Sequence, residues 1–480
     1  MSEAPPPLPL TAAAALRAAG RQPPLPFRVE LTDGRSLTVF RLLRVLPGKR
    51  IVGEADFGGV RVLAKLFVAA GSERHWRQEC RGIEALRAAG IPTPDVCAAA
   101  PLAGGGHAVL TAFLPDAVSL AERWRSVAAR PAGDAVALAL LVPALDVLAQ
   151  MHRAGLAQGD LHLGNFLRSG ECLLVIDGDS VSGSGQALTA AAAAANLGML
   201  LAQLPAAWDD SCAALLAAYR AAGGVADVGE AQLRAEIARV RDWRLKDFLA
   251  KCVRDCSLFA VDKRATRFSA VVRAAADRLA PLLRDPDRAV DAGVRLKAGN
   301  TCTVARAGAA GGDVVIKRYN LKSVGHALSR LWRPSRAWHS WREAHRLGLF
   351  GIPTPAPLAL IEERLGPLRR RAWLVTEFCP GANLAQHLSA DCEPGGAEAA
   401  AIASLFSTLH RLRISHGDLK ATNLLWHQGG VWLIDLDACT QHRSDTAYRK
   451  AWRRDRARLL RNWPEASVLG RWLQRTLPPA

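Results

Sequence analysis

Two stretches of the chain carry the same potentially reactive residues at the same spacing. The first is Gln158-Gly-Asp-Leu-His-Leu-Gly-Asn165, followed by Leu-Leu-Val-Ile-Asp-Gly-Asp179; the second is His416-Gly-Asp-Leu-Lys-Ala-Thr-Asn423, followed by Val-Trp-Leu-Ile-Asp-Leu-Asp437. In each, an Asp (Asp160, Asp418) precedes an Asn (Asn165, Asn423) by five residues and a second Asp (Asp177, Asp435) by seventeen. The second Asp ends a short apolar run. This spacing suits phosphoryl transfer, in which one Asp orients an acceptor hydroxyl while the Asn and the later Asp hold Mg²⁺ against nucleotide phosphates. A single copy would be weak, because Asp and Asn after Gly are ordinary turn residues. Two copies, each entering an Ile-Asp strand end, are much harder to obtain from turns. His152 and His410 each lie eight residues before the Asp, at the end of an apolar helical stretch, and read as structural supports beneath the loop.

The elements that must position these residues also occur twice. From Phe27, alternating apolar positions with turns at Asp33-Gly34 and Pro47-Gly48 predict antiparallel strands, ending in Val60-Arg-Val-Leu-Ala-Lys65-Leu-Phe. A strand lysine usually points to water. Here it is followed by a helix with Glu79, then Gly90-Ile-Pro-Thr-Pro94, then the loop, the order in which a kinase fold sets a phosphate-binding lysine against a helix glutamate. Val314-Val-Ile-Lys317-Arg-Tyr-Asn, a helix with Glu343, and Gly351-Ile-Pro-Thr-Pro355 repeat the series, so the chain is read as an internal duplication. Glu79 lies eleven residues before its pentapeptide but Glu343 only eight, an offset of roughly one helical turn that leaves the glutamate pairing open. One further strand in each half leads through Phe-Leu-Pro115 or Phe-Cys-Pro380 to an apolar helix and the loop; backbone groups there could bind adenine.

At 480 residues the chain exceeds what one core usually serves. The expected organisation is a loosely ordered leader over 1–27, a first domain over 28–288 and a second over 289–480 with an abbreviated, arginine-rich large lobe. The fold class is α+β, two tandem bilobal domains, each with an antiparallel β small lobe and a helical large lobe. The formal net charge of +18 calls for an anionic partner, and the densest basic runs are 330–346 and 443–461. No recognised nucleic-acid module accompanies that charge, so nucleic acid is the weakest partner reading. Ten cysteines without a Cys-x-x-Cys pair indicate neither a zinc site nor a disulfide scaffold and suit a reducing cytoplasm. The Ala/Leu-rich stretch 186–205 is expected to be a buried helix rather than a membrane span.

These residues resemble the lipopolysaccharide core kinases of Gram-negative bacteria, kinase-like enzymes that phosphorylate heptose or Kdo sugars of the inner core. The likeness rests on Val45-Leu-Pro-Gly-Lys-Arg50, Ala64-Lys-Leu-Phe67, Lys317-Arg-Tyr-Asn320, both Gly-Ile-Pro-Thr-Pro segments, and the Gly-Asp-Leu and Ile-Asp-x-Asp pairs, roughly from Val29 to Leu460. It implies ATP and Mg²⁺, with Asp160 and Asp418 as catalytic bases and Asn165, Asp177, Asn423 and Asp435 as Mg²⁺ ligands. Lys65 and Lys317 become phosphate contacts, with Glu79 and Glu343 the candidates to hold them. The implied partner is the lipopolysaccharide core on lipid A, met at the cytoplasmic face of the inner membrane by peripheral contact with anionic lipid. Two departures stand out: Gln158 replaces the His of the usual pattern, and neither copy has a Gly-x-Gly-x-x-Gly loop. The alternatives are a kinase with a small-molecule or protein acceptor, and a pseudokinase that scaffolds core assembly.

Overall fold

The computed structural model describes residues 9–128, 130–299, 302–320, 334–366 and 368–479. The chain divides into two compact units, Met1–Arg241 and Asp242–Ala480, and the division falls inside one helix, Glu230–Lys251.

Unit 1 begins with a six-stranded antiparallel sheet in the spatial order Phe27–Glu30, Ser36–Leu46, Arg50–Phe57, Val60–Phe67, His107–Ala112, Val96–Pro101. Because side chains alternate along a strand, Val62, Ala64 and Leu66 enter the sheet's packed core while Lys65 projects from the other face. The helix Glu73–Ala88 buries Glu79, Gly82, Ile83 and Leu86, a helical spacing that puts Glu79 on the packed face. Helices Ala135–Arg153, Ala190–Leu201 and Cys212–Ala221 follow, with Leu141, Leu145, Leu148, Leu197 and Leu216 in one core. Among the described residues, Ala135–Arg153 alone is long and apolar enough to cross a membrane, and half of that stretch is buried inside the unit. The stretch expected over 186–205 is helical over Ala190–Leu201, too short to span.

The leader expected over 1–27 is in part folded. Ala13–Ala18 is a helix whose Ala13 and Leu16 share a core with Val29 and Leu31, and Thr11 N–H donates to the Arg28 carbonyl at 2.7 Å. The Pro5–Pro7 cluster lies outside the described residues.

Unit 2 repeats the plan with a seven-stranded sheet: Phe259–Lys263, Arg267–Val272, Pro357–Leu365, Leu368–Glu377, Gly312–Tyr319, Cys302–Ala309, Val294–Ala298. The first two strands correct the boundary expected at 288. Arg267–Val272 pairs antiparallel with Pro357–Leu365, and Phe268 and Ala270 are buried with Leu360 and Leu374. Asp285-Pro286 is a helix start: the Asp285 side chain accepts from Arg288 N–H at 3.0 Å, and Pro286 takes the first helical position of Pro286–Ala292. The arginine-rich tail is likewise core. Helices Asp445–Leu460 and Val468–Thr476 bury Tyr448, Trp452, Leu469 and Leu473 against Phe406 and Leu409 of Gly396–Arg411.

Each unit is thus an antiparallel sheet with flanking helices joined to a helical lobe, the α+β bilobal arrangement of a protein-kinase-like fold. A fragment 242–480 is expected to unfold cooperatively in urea, whereas 289–480, stripped of two sheet strands, is not. A second test concerns His345, buried on the helix Arg336–Leu349 against the edges of Phe248, Phe259 and Trp341, with no partner for Nε2 among the described residues. Burial pushes its pKa down to about 3. A depressed folded pKa gives stability that is present above the unfolded value near 6.5 and lost as pH falls below it. Relative to His345→Phe, the parent is expected to lose ~1.4 kcal/mol per pH unit over that descent, read from denaturation midpoints.

Candidate active site

In unit 1 the strand lysine, the helix glutamate and the aspartate after the loop converge. Lys65 Nζ lies 2.6 Å from Glu79 Oε1 and 2.9 Å from Asp177 Oδ1, with Glu79 only 1% exposed. Burial works to lower the Lys65 pKa, but the two carboxylates outweigh it and hold the ammonium above its ordinary value. Asp177 is opposed by burial as well, and Lys65 with Arg50 and Arg44 nevertheless keeps it below the usual carboxylate range. Glu79 also accepts N–H bonds from Gly178 (3.3 Å) and Asp179 (3.0 Å), and Asp179 pairs with Arg50 at 2.7 Å. This close approach of helix and loop needs two glycines: a Cβ on Gly82 would run into the Gly178 carbonyl.

The loop itself is braced from below. Asn165 Nδ2 donates to the Asp160 carbonyl at 2.9 Å and the Asn165 carbonyl accepts from Ile176 N–H at 2.9 Å, tying the loop to the strand end that carries Asp177. Asp160 is exposed at the surface of the loop. Gln158 Nε2 donates to the carbonyls of Ile176 (2.8 Å) and Asp177 (3.1 Å). His152 is buried between Tyr219 (2.8 Å) and Asn196 (3.1 Å), and Asn196 in turn donates to the Gln158 carbonyl.

Unit 2 repeats the Asn brace, the support of the strand-end carbonyl and the His–Tyr pair. Asn423 Nδ2 donates to the Asp418 carbonyl at 2.9 Å, and the Asn423 carbonyl accepts from Ile434 N–H at 3.0 Å. His416 Nε2 bonds the Ile434 carbonyl at 2.9 Å, so the Gln158 departure keeps the support that His416 gives. His410 bonds Tyr448 at 3.0 Å, as His152 bonds Tyr219. Asp177 and Asp435 both adopt the left-handed conformation, φ 74° and 63°, a strained backbone for a non-glycine residue that is usually retained at functional sites. Each also offers a carboxylate beside an Asn whose amide nitrogen is occupied by backbone, which presents hard oxygen ligands of the kind Mg²⁺ takes. Asp179, unforeseen from the sequence, joins Glu79 and Asp177 in a carboxylate cluster whose ligand atoms lie within 4.8 Å of one another.

The glutamate expected to hold Lys317 does not. Glu343 is buried and paired with Arg346 at 3.0 Å, where burial raises its pKa against the pull of that arginine. Lys317 Nζ instead meets Asp435 and, at 2.9 Å, Asp437. The spacing explains the error: eight residues before the pentapeptide, Glu343 matches Gly82, whereas the match to Glu79, eleven before, is Ser340. Asp437 was missed because only its neighbour fits the metal-ligand spacing; the repeated Ile-Asp-x-Asp was the available signal.

Beside Lys317 lies a cavity of about 560 Å³ lined by Val304, Thr376, Phe378, Asn423 and Asp435, a size suited to a nucleotide. On the loop, Asp418 is half-buried and in ion pairs with Arg458 and, at 3.0 Å, Lys420; burial raises its pKa, and these two cations more than reverse that. Part of the basic run 443–461 thus points at the loop. Of the run 330–346, residues 330–333 lie outside the described residues, while Arg336 and Arg346 are turned inward on Asp437 and Glu343.

Residues 297–473 match the family model described as the lipopolysaccharide kinase (Kdo/WaaP) family. Similar curated proteins include the 3-deoxy-D-manno-octulosonic acid kinase of Xanthomonas axonopodis pv. citri (strain 306), 32% identical over 133 residues, which is 26% of this chain and 53% of that one. The enzyme of the same description from Xylella fastidiosa (strain 9a5c) is 30% identical over 158 residues, 32% of this chain and 61% of its own. The chain thus spans little more than half the length of these relatives. Solved structures with a likeness include one described as WaaP in complex with acyl carrier protein (20% identity, TM-score 0.33, 43% of this chain and 86% of that one) and the Mycobacterium tuberculosis PknI kinase domain (16%, 0.28, 43% and 95%). The geometry above stands without them.

Lys65→Met strands the Glu79 carboxylate in the interior, and it is expected to destabilise unit 1 by about 3 kcal/mol, with part recovered in Lys65→Met/Glu79→Gln, measured by urea denaturation.

Proposed function

We propose that the chain is an ATP-dependent kinase of sugar hydroxyls in the lipopolysaccharide inner core, heptose or Kdo. The observation that carries this reading is the twofold arrangement of loop Asp, braced Asn, left-handed Asp and strand Lys, with the lipopolysaccharide kinase family model falling on the second of them. In this reading Asp160 and Asp418 accept a hydrogen bond from the acceptor hydroxyl and aim it for in-line attack. Lys65 and Lys317 turn from their carboxylates to the nucleotide phosphates. Asn165 with Asp177, and Asn423 with Asp435, would hold Mg²⁺, which supplies charge neutralisation on the phosphates. Positioning and charge neutralisation provide most of the rate in such a transfer.

Arginine beside the loop suits an acceptor that already carries carboxylates or phosphates. Arg458 already pairs with Asp418, and a core glycan on lipid A would bring competing anions to it. The +18 charge then serves an anionic acceptor and peripheral contact with the cytoplasmic face of the inner membrane, where ATP is available.

Transfer of the ATP γ-phosphate to purified core acceptor tests this. Asp418→Ala is expected to lower transfer ~10²- to 10⁴-fold, the usual contribution of a positioned acid–base group. Asp160→Ala is expected to remove a different product phosphate. A folded parent that labels no core sugar overturns the substrate reading.

A further inference from the structure

The two units neutralise the strand lysine with carboxylates from different elements. In unit 1 the helix supplies Glu79, and the loop's second aspartate, Asp179, is drawn away by Arg50. In unit 2 the helix position that matches Glu79 holds Ser340, whose hydroxyl donates to Asp437 Oδ1 at 2.8 Å. That same Asp437 oxygen lies 2.9 Å from Lys317 Nζ and accepts from Tyr319 Oη at 2.7 Å, while Oδ2 lies 3.0 Å from Arg336.

Packing gives the reason for the exchange. The close helix–loop approach in unit 1 uses Gly82 against Gly178, and the matching residues in unit 2 are Glu343 and Leu436. Side chains at both positions rule out the glycine-on-glycine contact of unit 1. Strand register supplies the rest. Arg50 pairs across from Phe67 in unit 1, and the pair at the same register in unit 2 is Cys302 with Tyr319. With Cys302 in place of the arginine, nothing among the described residues there draws Asp437 off the lysine, and Arg336 grips its outer oxygen instead.

We infer that Asp437 is the positioning residue of unit 2: it holds Lys317 towards the nucleotide cavity in place of the helix glutamate, with Ser340, Tyr319 and Arg336 fixing its carboxylate. The inference rests on the reading of Lys317 as a phosphate contact. Both carboxylates that hold Lys317 then come from one loop, and the helix Arg336–Leu349 acts on the lysine through Ser340 and Arg336 on Asp437 and not through a glutamate of its own.

The first test does not use nucleotide. The full chain is treated with N-hydroxysuccinimidyl acetate at one fixed pH, and acetylation of Lys317 is read by peptide mass spectrometry, with Lys65 in the same sample as reference. Asp437→Asn is expected to raise Lys317 acetylation about tenfold, the factor that a charge-assisted hydrogen bond is worth, with Lys65 unchanged. Glu343→Gln is expected to leave it within about twofold, and the exchange Ser340→Glu/Asp437→Ser to restore protection. An unchanged Lys317 in Asp437→Asn, or a larger effect from Glu343→Gln, overturns the inference. If Asp437→Asn unfolds unit 2, the exchange variant decides: folded with Lys317 protected it supports the inference, and otherwise it overturns it.

The second test photolabels the same chains with 8-azido-ATP and maps the modified peptides to each unit. Half-saturation in unit 2 is expected to shift about tenfold in Asp437→Asn and to return in the exchange variant, a rescue that a merely structural role for Asp437 would not give. Acetylation as expected with no unit 2 labelling in the parent keeps the lysine assignment and overturns the nucleotide reading of that unit.

Discussion

An ammonium group placed on the inner face of a strand must be neutralised by carboxylates from elsewhere in the chain, and much of each unit is arranged to deliver them. Lys65 and Lys317 sit where alternation turns them away from the sheet core. An unpaired charge there would be costly, so the lysine recruits distant segments: Asp177 is 112 residues away and Asp435 is 118. To reach the lysine, each aspartate takes a left-handed backbone that only a braced loop sustains. The bracing comes from the Asn side chain, from Gln158 or His416 on the preceding carbonyl, and from buried His–Tyr pairs beneath.

This constraint accounts for what the two units share and where they part. What repeats is the hydrogen bonding that fixes the loop to the strand end, even where the residue type changes. Gln158 and His416 differ in shape but present a donor to the matching carbonyl, that of Ile176 or Ile434. What differs is the helix facing the loop. A glycine contact lets unit 1 bring helix and loop together, with Glu79 capping two backbone N–H groups of the loop; unit 2 keeps a carboxylate on the lysine but draws it from another segment. The charge requirement is met twice and the geometry is not.

The sequence shows the bilobal α+β plan, the antiparallel small lobes and the loop residues, because alternation, turn residues and repeated spacing are local signals. It misplaces the domain boundary, because Phe259–Lys263 and Arg267–Val272 join a sheet whose partner strand, Pro357–Leu365, is nearly ninety residues on, and pairing at that range leaves no local mark. Glu343 was chosen by residue type, whereas the offset from the pentapeptide, which the sequence did contain, assigns its position to Gly82 and gives Ser340 to the lysine face. The tail reads as an abbreviated, arginine-rich lobe because arginine outweighs its apolar positions, yet Tyr448, Trp452 and Leu459 form a buried stripe at helical spacing.

The charge excess shows the same limit from the other side. A run of arginine gives a net field but not a direction, and the helix Asp445–Leu460 spends its cations on three tasks. Arg449 pairs along the helix with Asp445, Arg456 donates to the Gln474 carbonyl, and Arg458 reaches the loop at Asp418, while Arg453 and Arg454 remain exposed. Of these, Arg458 reaches the loop carboxylate, and in the proposed reading an arriving anion would displace or share it. The net charge is a field without a direction, and the geometry of this side chain gives one place in unit 2 where it would be felt.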